Sequence, residues 1–244
     1  MPFRLDPPRD RTLFRLVRNA ESVRVVKGRS LYAPGDDADD VWLVRSGFMR
    51  LVLPGVESGQ RPRTVAVALP WETFGNEALT EGRRRYGAIA GSTCVVSPLP
   101  RDAVLRGLKT ARSSLDAYLE GQERELYRLR HGQGGSHGPS VSQRLAEVVI
   151  DLGARCGEPS GRGVELSERL THQVLADLSG AHRATVTTLL NDWLYEGILG
   201  STADNRLSIR RPSDLWGCAG YPAGALARRG SGAGAVEGEG DNSR

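Results

Sequence analysis

The sequence predicts an α+β chain in which an all-β half is followed by a long helix and a small helical module. Three observations carry this. Between Ser22 and Pro100, short apolar segments of period two are punctuated by glycine. Between Leu115 and Leu129, four leucines and Gln122 recur at alternating spacings of four and three. Between Leu170 and Leu199, two short helical stretches meet at Gly180. Period two bounded by turn residues describes antiparallel strands, in a barrel or a sandwich. The 4/3 spacing describes a helical seam, and two helices joined by a short glycine-containing turn describe a helix-turn-helix.

Length and composition set the bounds. The chain has 244 residues, 39% of them hydrophobic and 25% charged, which is ordinary globular content and enough for a sizeable core. Net charge is +4 and the pI about 9.2. That balance suits a polyanionic partner, but of the 33 basic residues only Lys27 and Lys109 are lysine, so a general preference for arginine explains it as well. Cys94, Cys156 and Cys218 lie far apart with no C-x-x-C pair, which excludes a zinc or iron–sulfur site and fits a reducing compartment. No metal and no cofactor is expected. The N-terminus lacks the apolar core of a signal peptide and no run reaches the length of a membrane span. The expectation is a soluble, cytoplasmic protein without a membrane partner. No Ser/His/Asp set, paired carboxylates or P-loop is visible, so it is not expected to be an enzyme.

In chain order, residues 1–20 are irregular, with a short helix possible over Arg11 to Arg18. Residues 21–109 hold the strands: SVRVV, VWLV at 41–44, FMRLVL with Met49, Leu51 and Leu53 on one face, and TVAVAL with Val65, Val67 and Leu69 on one face. Gly35, Gly47, Gly75 and Gly82 stand where tight turns require positive φ. A helix at 110–132 carries the seam Leu115, Leu119, Gln122, Leu126 and Leu129, which reads either as a dimer seam or as a helix packed on its own domain. Residues 133–139 are glycine-rich and predict a hinge. Residues 140–212 form the terminal module: a helix over Ser140 to Ala154, a loop CGEPSGRG, the two helices, and a hairpin of ILGS and RLSIRR joined by TADN. The hairpin makes the module winged. Residues 213–244 are rich in glycine and alanine and are expected to be a disordered tail.

Within the module, Thr171 is placed to cap the first helix, without a reciprocal capping box because Val174 stands at the glutamate position. In the second helix Val186, Leu189, Leu190 and Trp193 form one buried stripe. Ala184, Thr188 and Asn191 fall opposite, with Thr187 on the shoulder. Arg183 stands at the N-terminal end, where recognition helices approach base edges, and a guanidinium can donate two bonds to guanine O6 and N7.

LYAPGDDADDVWLVRSGFMRLVL and ETFGNEALTEGRRRYGAIAGSTCVV resemble the double-stranded β-roll of cyclic-nucleotide-binding domains. The match is to the bacterial cyclic-AMP receptor and fumarate/nitrate-reduction regulator family. LTHQVLADLSGAHRATVTTLL is similar to that family's recognition motif, above all in its nitrogen regulators and cyclic-AMP-independent branches. The resemblance implies an N-terminal β-roll, a long dimerisation helix and a C-terminal winged helix-turn-helix, in a homodimer that binds double-stranded DNA at palindromic promoter sites and recruits RNA polymerase. The loop 157–165 is a candidate for that recruitment.

Carried across by position, Arg183 matches the guanine-reading arginine, while Ala184 and Thr188 replace a glutamate and an arginine. Thr185 and Gln173 match phosphate-contacting positions, His172 occupies another, and His182 replaces a serine or threonine at the second helix's start. In the β-roll, the resemblance places a ligand cradle at Gly75, Asn76, Arg85 and Tyr86, with Arg130 on the long helix. Asn76 stands at the carboxylate position and Tyr86 at that of a small hydroxyl, so the contacts specific to cyclic AMP are mostly missing. A cluster of Arg83, Arg84, Arg85 and Arg130 would instead suit another anion such as 2-oxoglutarate, or the roll is a scaffold without a ligand. The competing functional reading is a small-molecule sensor whose head engages a protein partner.

Overall fold

A computed structural model describes residues 3–4, 20–55, 60–80, 82–110, 112, 115, 116, 118, 119, 122, 123 and 138–221. The N-terminal half consists of nine strands: β1 (Phe3–Arg4), β2 (Val23–Val25), β3 (Ser30–Tyr32), β4 (Asp40–Ser46), β5 (Met49–Leu53), β6 (Arg63–Ala68), β7 (Glu72–Phe74), β8 (Gly87–Ala90) and β9 (Cys94–Pro100). They form one sheet of order β1-β7-β4-β9-β2 and another of order β3-β8-β5-β6, with antiparallel pairing throughout. The sheets face each other as a β-roll. Val25, Val44, Phe74, Cys94 and Val96 from the first meet Met49, Leu51, Ala66, Ala68, Ala88 and Ala90 from the second. The four turn glycines have φ between 69° and 92°, as their sequence context requires.

Two sequence expectations for the strands change. Leu53 is half-buried and Val52 buried instead, because the β5–β6 register shifts between Leu51 and Val52 and reverses the alternation. On β6 the interior of the roll is filled by Ala66 and Ala68, whereas Val67 and Leu69 join Phe48 in the core of the C-terminal module. Both faces of β6 are therefore buried, and its larger side chains serve the junction between the two halves.

Helix α1 (Arg101–Thr110) packs on the outer face of the five-stranded sheet through Val104 and Leu108, against Val41, Leu43 and Leu99. The described residues from 112 to 123 are helical. Leu115 and Leu119 stand 41% and 54% exposed there. Gln122 is half-buried, while Leu126, Leu129, Arg130 and residues 133–137 of the expected hinge lie outside the described residues. The same is true of the possible helix from Arg11 to Arg18.

The C-terminal module starts at α2 (Val141–Cys156). A capping box closes its first turn: Gln143 N–H donates to Ser140 Oγ, and Ser140 N–H donates to Gln143 Oε1. The segment expected to be a loop is a hairpin of β10 (Gly157–Ser160) and β11 (Gly163–Leu166). It joins the wing strands β12 (Leu199–Ser201) and β13 (Leu207–Ile209) in a sheet of order β10-β11-β13-β12. Glycine and proline masked this hairpin in the sequence. Between the hairpins lie α3 (His172–Ser179) and α4 (Arg183–Tyr195).

The chain does not become irregular at residue 213. Pro212 opens α5 (Pro212–Cys218), whose Leu215 is fully buried and whose Trp216 meets Tyr221 edge-on at 5.0 Å. Proline at the first turn starts a helix as readily as it ends one. The packed module therefore runs to Tyr221, and residues 222–244 lie outside the described residues. Among the described residues no helix is long and apolar enough to cross a membrane.

Polar contacts reinforce the junction of roll and module. Arg155 on α2 donates from Nε and Nη2 to Glu72 at 2.8 and 2.6 Å and from Nη2 to the Val67 carbonyl at 2.7 Å. Arg61 and the Thr64 N–H bind Asp177 on α3, and Glu168 hydrogen-bonds Ser92.

Candidate nucleic-acid interface

The helix-turn-helix is fixed from both ends of its turn. Thr171 Oγ1 accepts from Val174 N–H at 3.3 Å and caps α3. Gly180, with φ 62°, ends α3 in the left-handed region that glycine enters without penalty. Carbonyls at that end are taken up by Arg144, which donates to the Ser179 and Gly180 carbonyls at 2.8 and 3.4 Å and, at its own end of α2, to the Pro139 carbonyl at 2.7 Å. His182 is the N-cap residue of α4 and makes no side-chain cap bond, so that end of the helix is bound less tightly than a serine would bind it.

On α4 the buried stripe is Val186, Leu190 and Trp193, with Leu189 partly buried beside it. Arg183, Ala184, Thr185, Thr188 and Asn191 are exposed. Thr188, exposed, donates its hydroxyl to the Ala184 carbonyl at 3.2 Å. Thr187 is not free on the shoulder: its Oγ1 lies 3.0 Å from His172 Nδ1, tying the start of α3 to α4. Gln173 donates to Asp177 Oδ1 at 3.0 Å. Of the residues singled out from sequence, His182, Arg183, Ala184, Thr185 and Thr188 are exposed, while His172, Gln173 and Thr187 are half-buried and bonded within the two helices. Tyr195 was missed. It is 95% exposed and extends the outward stripe of Ala184, Thr188 and Asn191 at helical spacing, a period visible in the sequence.

The cradle in the roll differs from expectation. The cation beside Gly75 is Arg84, not Arg85, which is exposed. Arg84 is 5% exposed and donates to the Gly75 and Asp40 carbonyls at 2.8 and 2.7 Å, with its guanidinium carbon 4.3 Å from the centre of the Tyr32 ring. Burial pushes the Tyr32 phenol up despite the neighbouring guanidinium. Asn76 is buried and Tyr86 packs partly into the roll core. A Cβ at Gly75 would collide with the Arg84 guanidinium. The space under the glycine turn is therefore filled by the protein's own cation. These residues do not fit a cyclic nucleotide: the arginine is committed to backbone carbonyls, and an amide stands where a ribose hydroxyl needs a carboxylate.

The comparisons with known proteins agree with this architecture. Residues 22–111 match the cyclic nucleotide-binding domain and residues 143–217 the Crp-like helix-turn-helix domain. The chain belongs to the cyclic-AMP receptor and fumarate/nitrate-reduction regulator family. It is 29% identical over 199 residues to the global nitrogen regulator of Synechococcus elongatus, covering 78% of this chain and 85% of that one. It is 22% identical over 183 residues to the CRP-like cAMP-activated global transcriptional regulator of Mycobacterium tuberculosis, covering 75% and 81%. Among solved structures, a CRP/FNR-family transcriptional regulator from Thermus thermophilus superposes with TM-score 0.58 at 25% identity, over 84% of this chain and 100% of that one. The cyclic-AMP receptor family consists of transcriptional regulators with a DNA-binding helix-turn-helix, and this chain carries both of its domains.

Proposed function

We propose that the protein is a cytoplasmic homodimer that binds palindromic promoter sites in double-stranded DNA and regulates transcription without cyclic AMP. The observation that carries this reading is the division of α4, whose buried stripe leaves Arg183, Ala184, Thr188 and Asn191 facing outward. Arg183 reads a guanine, and Ala184 with the Thr188 methyl group reads a thymine methyl. Thr185, Gln173, His172 and His182 face the phosphate backbone, and Thr187 acts by holding His172. Leu115 and Leu119, exposed on one helix face, support the seam that joins two copies. The two recognition helices then stand one turn of DNA apart, about 34–36 Å. RNA polymerase is the partner of the bound dimer.

Independence from cyclic AMP is supported by Arg84, which occupies the cradle from within. Arg85 and Arg83, on the exposed side of the same turn, leave an external anion such as 2-oxoglutarate as the second reading of the roll.

Selection of duplexes from a random pool by the full-length protein, followed by footprinting, tests the function. A salt-sensitive palindromic site is expected, and recovery of no preferred sequence overturns the reading. Arg183→Ala should relax the preference at one base per half-site by roughly 1–3 kcal/mol, whereas Gln173→Ala should weaken all sites alike.

A further inference from the structure

Hydrogen bonds from the β5–β6 hairpin of the roll converge on one carboxylate of the first helix of the helix-turn-helix, Asp177. Arg61 donates from Nη2 to Asp177 Oδ1 at 2.7 Å and from Nη1 to Oδ2 at 3.0 Å. The Thr64 N–H donates to Oδ2 at 3.0 Å, and Gln173 Nε2, one turn earlier on α3, donates to Oδ1 at 3.0 Å. A carboxylate offers about four lone-pair sites, so these four bonds saturate Asp177. Its side chain is 4% exposed, whereas that of Arg61 is 54% exposed. The buried partner is therefore the fixed point, and Arg61 is the member that the roll can withdraw.

We propose that Arg61 is a positioning residue for DNA binding. By holding Asp177 through two bonds, it fixes the carboxylate that orients the Gln173 carboxamide toward the phosphate backbone. This rests on the DNA-binding reading above and adds that the roll sets the strength of the head's backbone contacts through one side chain. Without Arg61, two acceptor sites on a buried carboxylate are unfilled, and Asp177 recovers them by turning or by drawing the Gln173 amide inward. Either movement takes the second Gln173 N–H away from DNA. Gln173 is neutral, so its loss changes affinity without changing the number of counterions released; a direct contact from Arg61 to phosphate would change both.

The test uses the full-length protein and a duplex that the wild type itself selects from a random pool, with affinity followed by fluorescence anisotropy over a range of salt. Arg61→Gln is expected to weaken binding roughly five- to tenfold, as loss of one hydrogen bond per head does. The same substitution in a Gln173→Ala background should weaken it no further. Its salt slope should run parallel to the wild type, and its preference at the base read by Arg183 should be unchanged. Arg61→Lys keeps the charge but not the paired bonds, and should lie between the two. An equal loss from Arg61→Gln in both backgrounds, an unchanged affinity, or a shallower salt slope overturns the proposal. Thermal melting of each variant separates loss of binding from loss of fold, since a purely structural Arg61 would lower both together in either background. If the wild type selects no duplex, the DNA-binding reading fails before any variant is compared.

Discussion

Arg155 on α2 and Glu72 on β7 form a 2.6 Å ion pair whose side chains are 6% and 4% exposed, at the junction between roll and head. Asp151, one turn earlier on α2, accepts from Arg155 Nη1 at 2.9 Å, and Glu72 Oε2 also accepts from the Leu69 N–H. Two buried charges satisfied this completely hold a geometry, whatever their net contribution to stability. Removing Glu72 takes two hydrogen bonds and one of two neighbouring carboxylates from the buried guanidinium, which keeps Asp151 and the Val67 carbonyl. Glu72→Ala should therefore destabilise the chain by about 3–5 kcal/mol. Urea unfolding checks this, and a loss below about 1 kcal/mol would mean that water reaches the guanidinium.

Asp177 makes stability at the same junction depend on pH. Burial raises its carboxyl, but hydrogen bonds from Arg61, Thr64 and Gln173 outweigh burial and hold it below the usual carboxylate range. In the unfolded chain an aspartate ionises near pH 3.9, about the middle of its ordinary range. A lowered folded value means that the ionised form favours folding. Its contribution is fully present above the unfolded value and is lost as the pH falls through the folded one. Asp177→Asn should be less stable than wild type near neutral pH, and the difference should shrink below about pH 4. Urea midpoints measured across that range decide it; a gap that stays constant would show that Asp177 does not titrate on unfolding.

The sequence made some of this architecture legible and hid other parts for physical reasons. The turn glycines, the Thr171 cap and the α4 stripe depend on neighbours within a few residues, and all three stand where local patterns put them. Features that depend on distant partners were hidden. Val67 and Leu69 look like strand-core residues, and only the packed head shows that they face outward from the roll. Three consecutive arginines, Arg83 to Arg85, precede β8, and only the folded roll shows that Arg84 is the buried one, held by the Gly75 and Asp40 carbonyls. The helix α5 was hidden by its composition, since Pro212, Gly217 and Gly220 punctuate a segment that Leu215 and Trp216 nevertheless anchor.

Leu115 and Leu119 give the proposed dimer a direct test. Two large aliphatic side chains about half exposed, four residues apart on one helix face, leave apolar surface in water unless a second copy covers it. Replacing both with glutamate places four like charges at the seam of a dimer, whereas the monomer tolerates them on an exposed surface. Sedimentation velocity should show a dimer for wild type and a monomer for the double variant, with a similar melting profile for the β-roll. A dimer that survives the substitution would place the interface elsewhere.

The cradle under Gly75 separates a closed roll from a sensor. Gly75 has φ 75°, and a Cβ there would meet both the Arg84 guanidinium and, at 3.1 Å, Tyr32 Oη. Gly75→Ala therefore incurs the left-handed penalty, roughly 1–2 kcal/mol, and in addition displaces a buried cation from two carbonyls. A fall in melting temperature of roughly 4–10 °C is expected. The same filled space predicts how the wild type responds to ligand. A nucleotide present at 100 times its dissociation constant would add about 2.7 kcal/mol and raise the melting temperature by several degrees. Because Arg84 would first have to leave Gly75, Asp40 and the Tyr32 face, cyclic AMP at about 1 mM should leave the wild-type melting temperature unchanged. A clear rise with cyclic AMP in the wild type, abolished by Arg84→Ala, would show that the arginine turns to meet phosphate and that the roll is a nucleotide sensor.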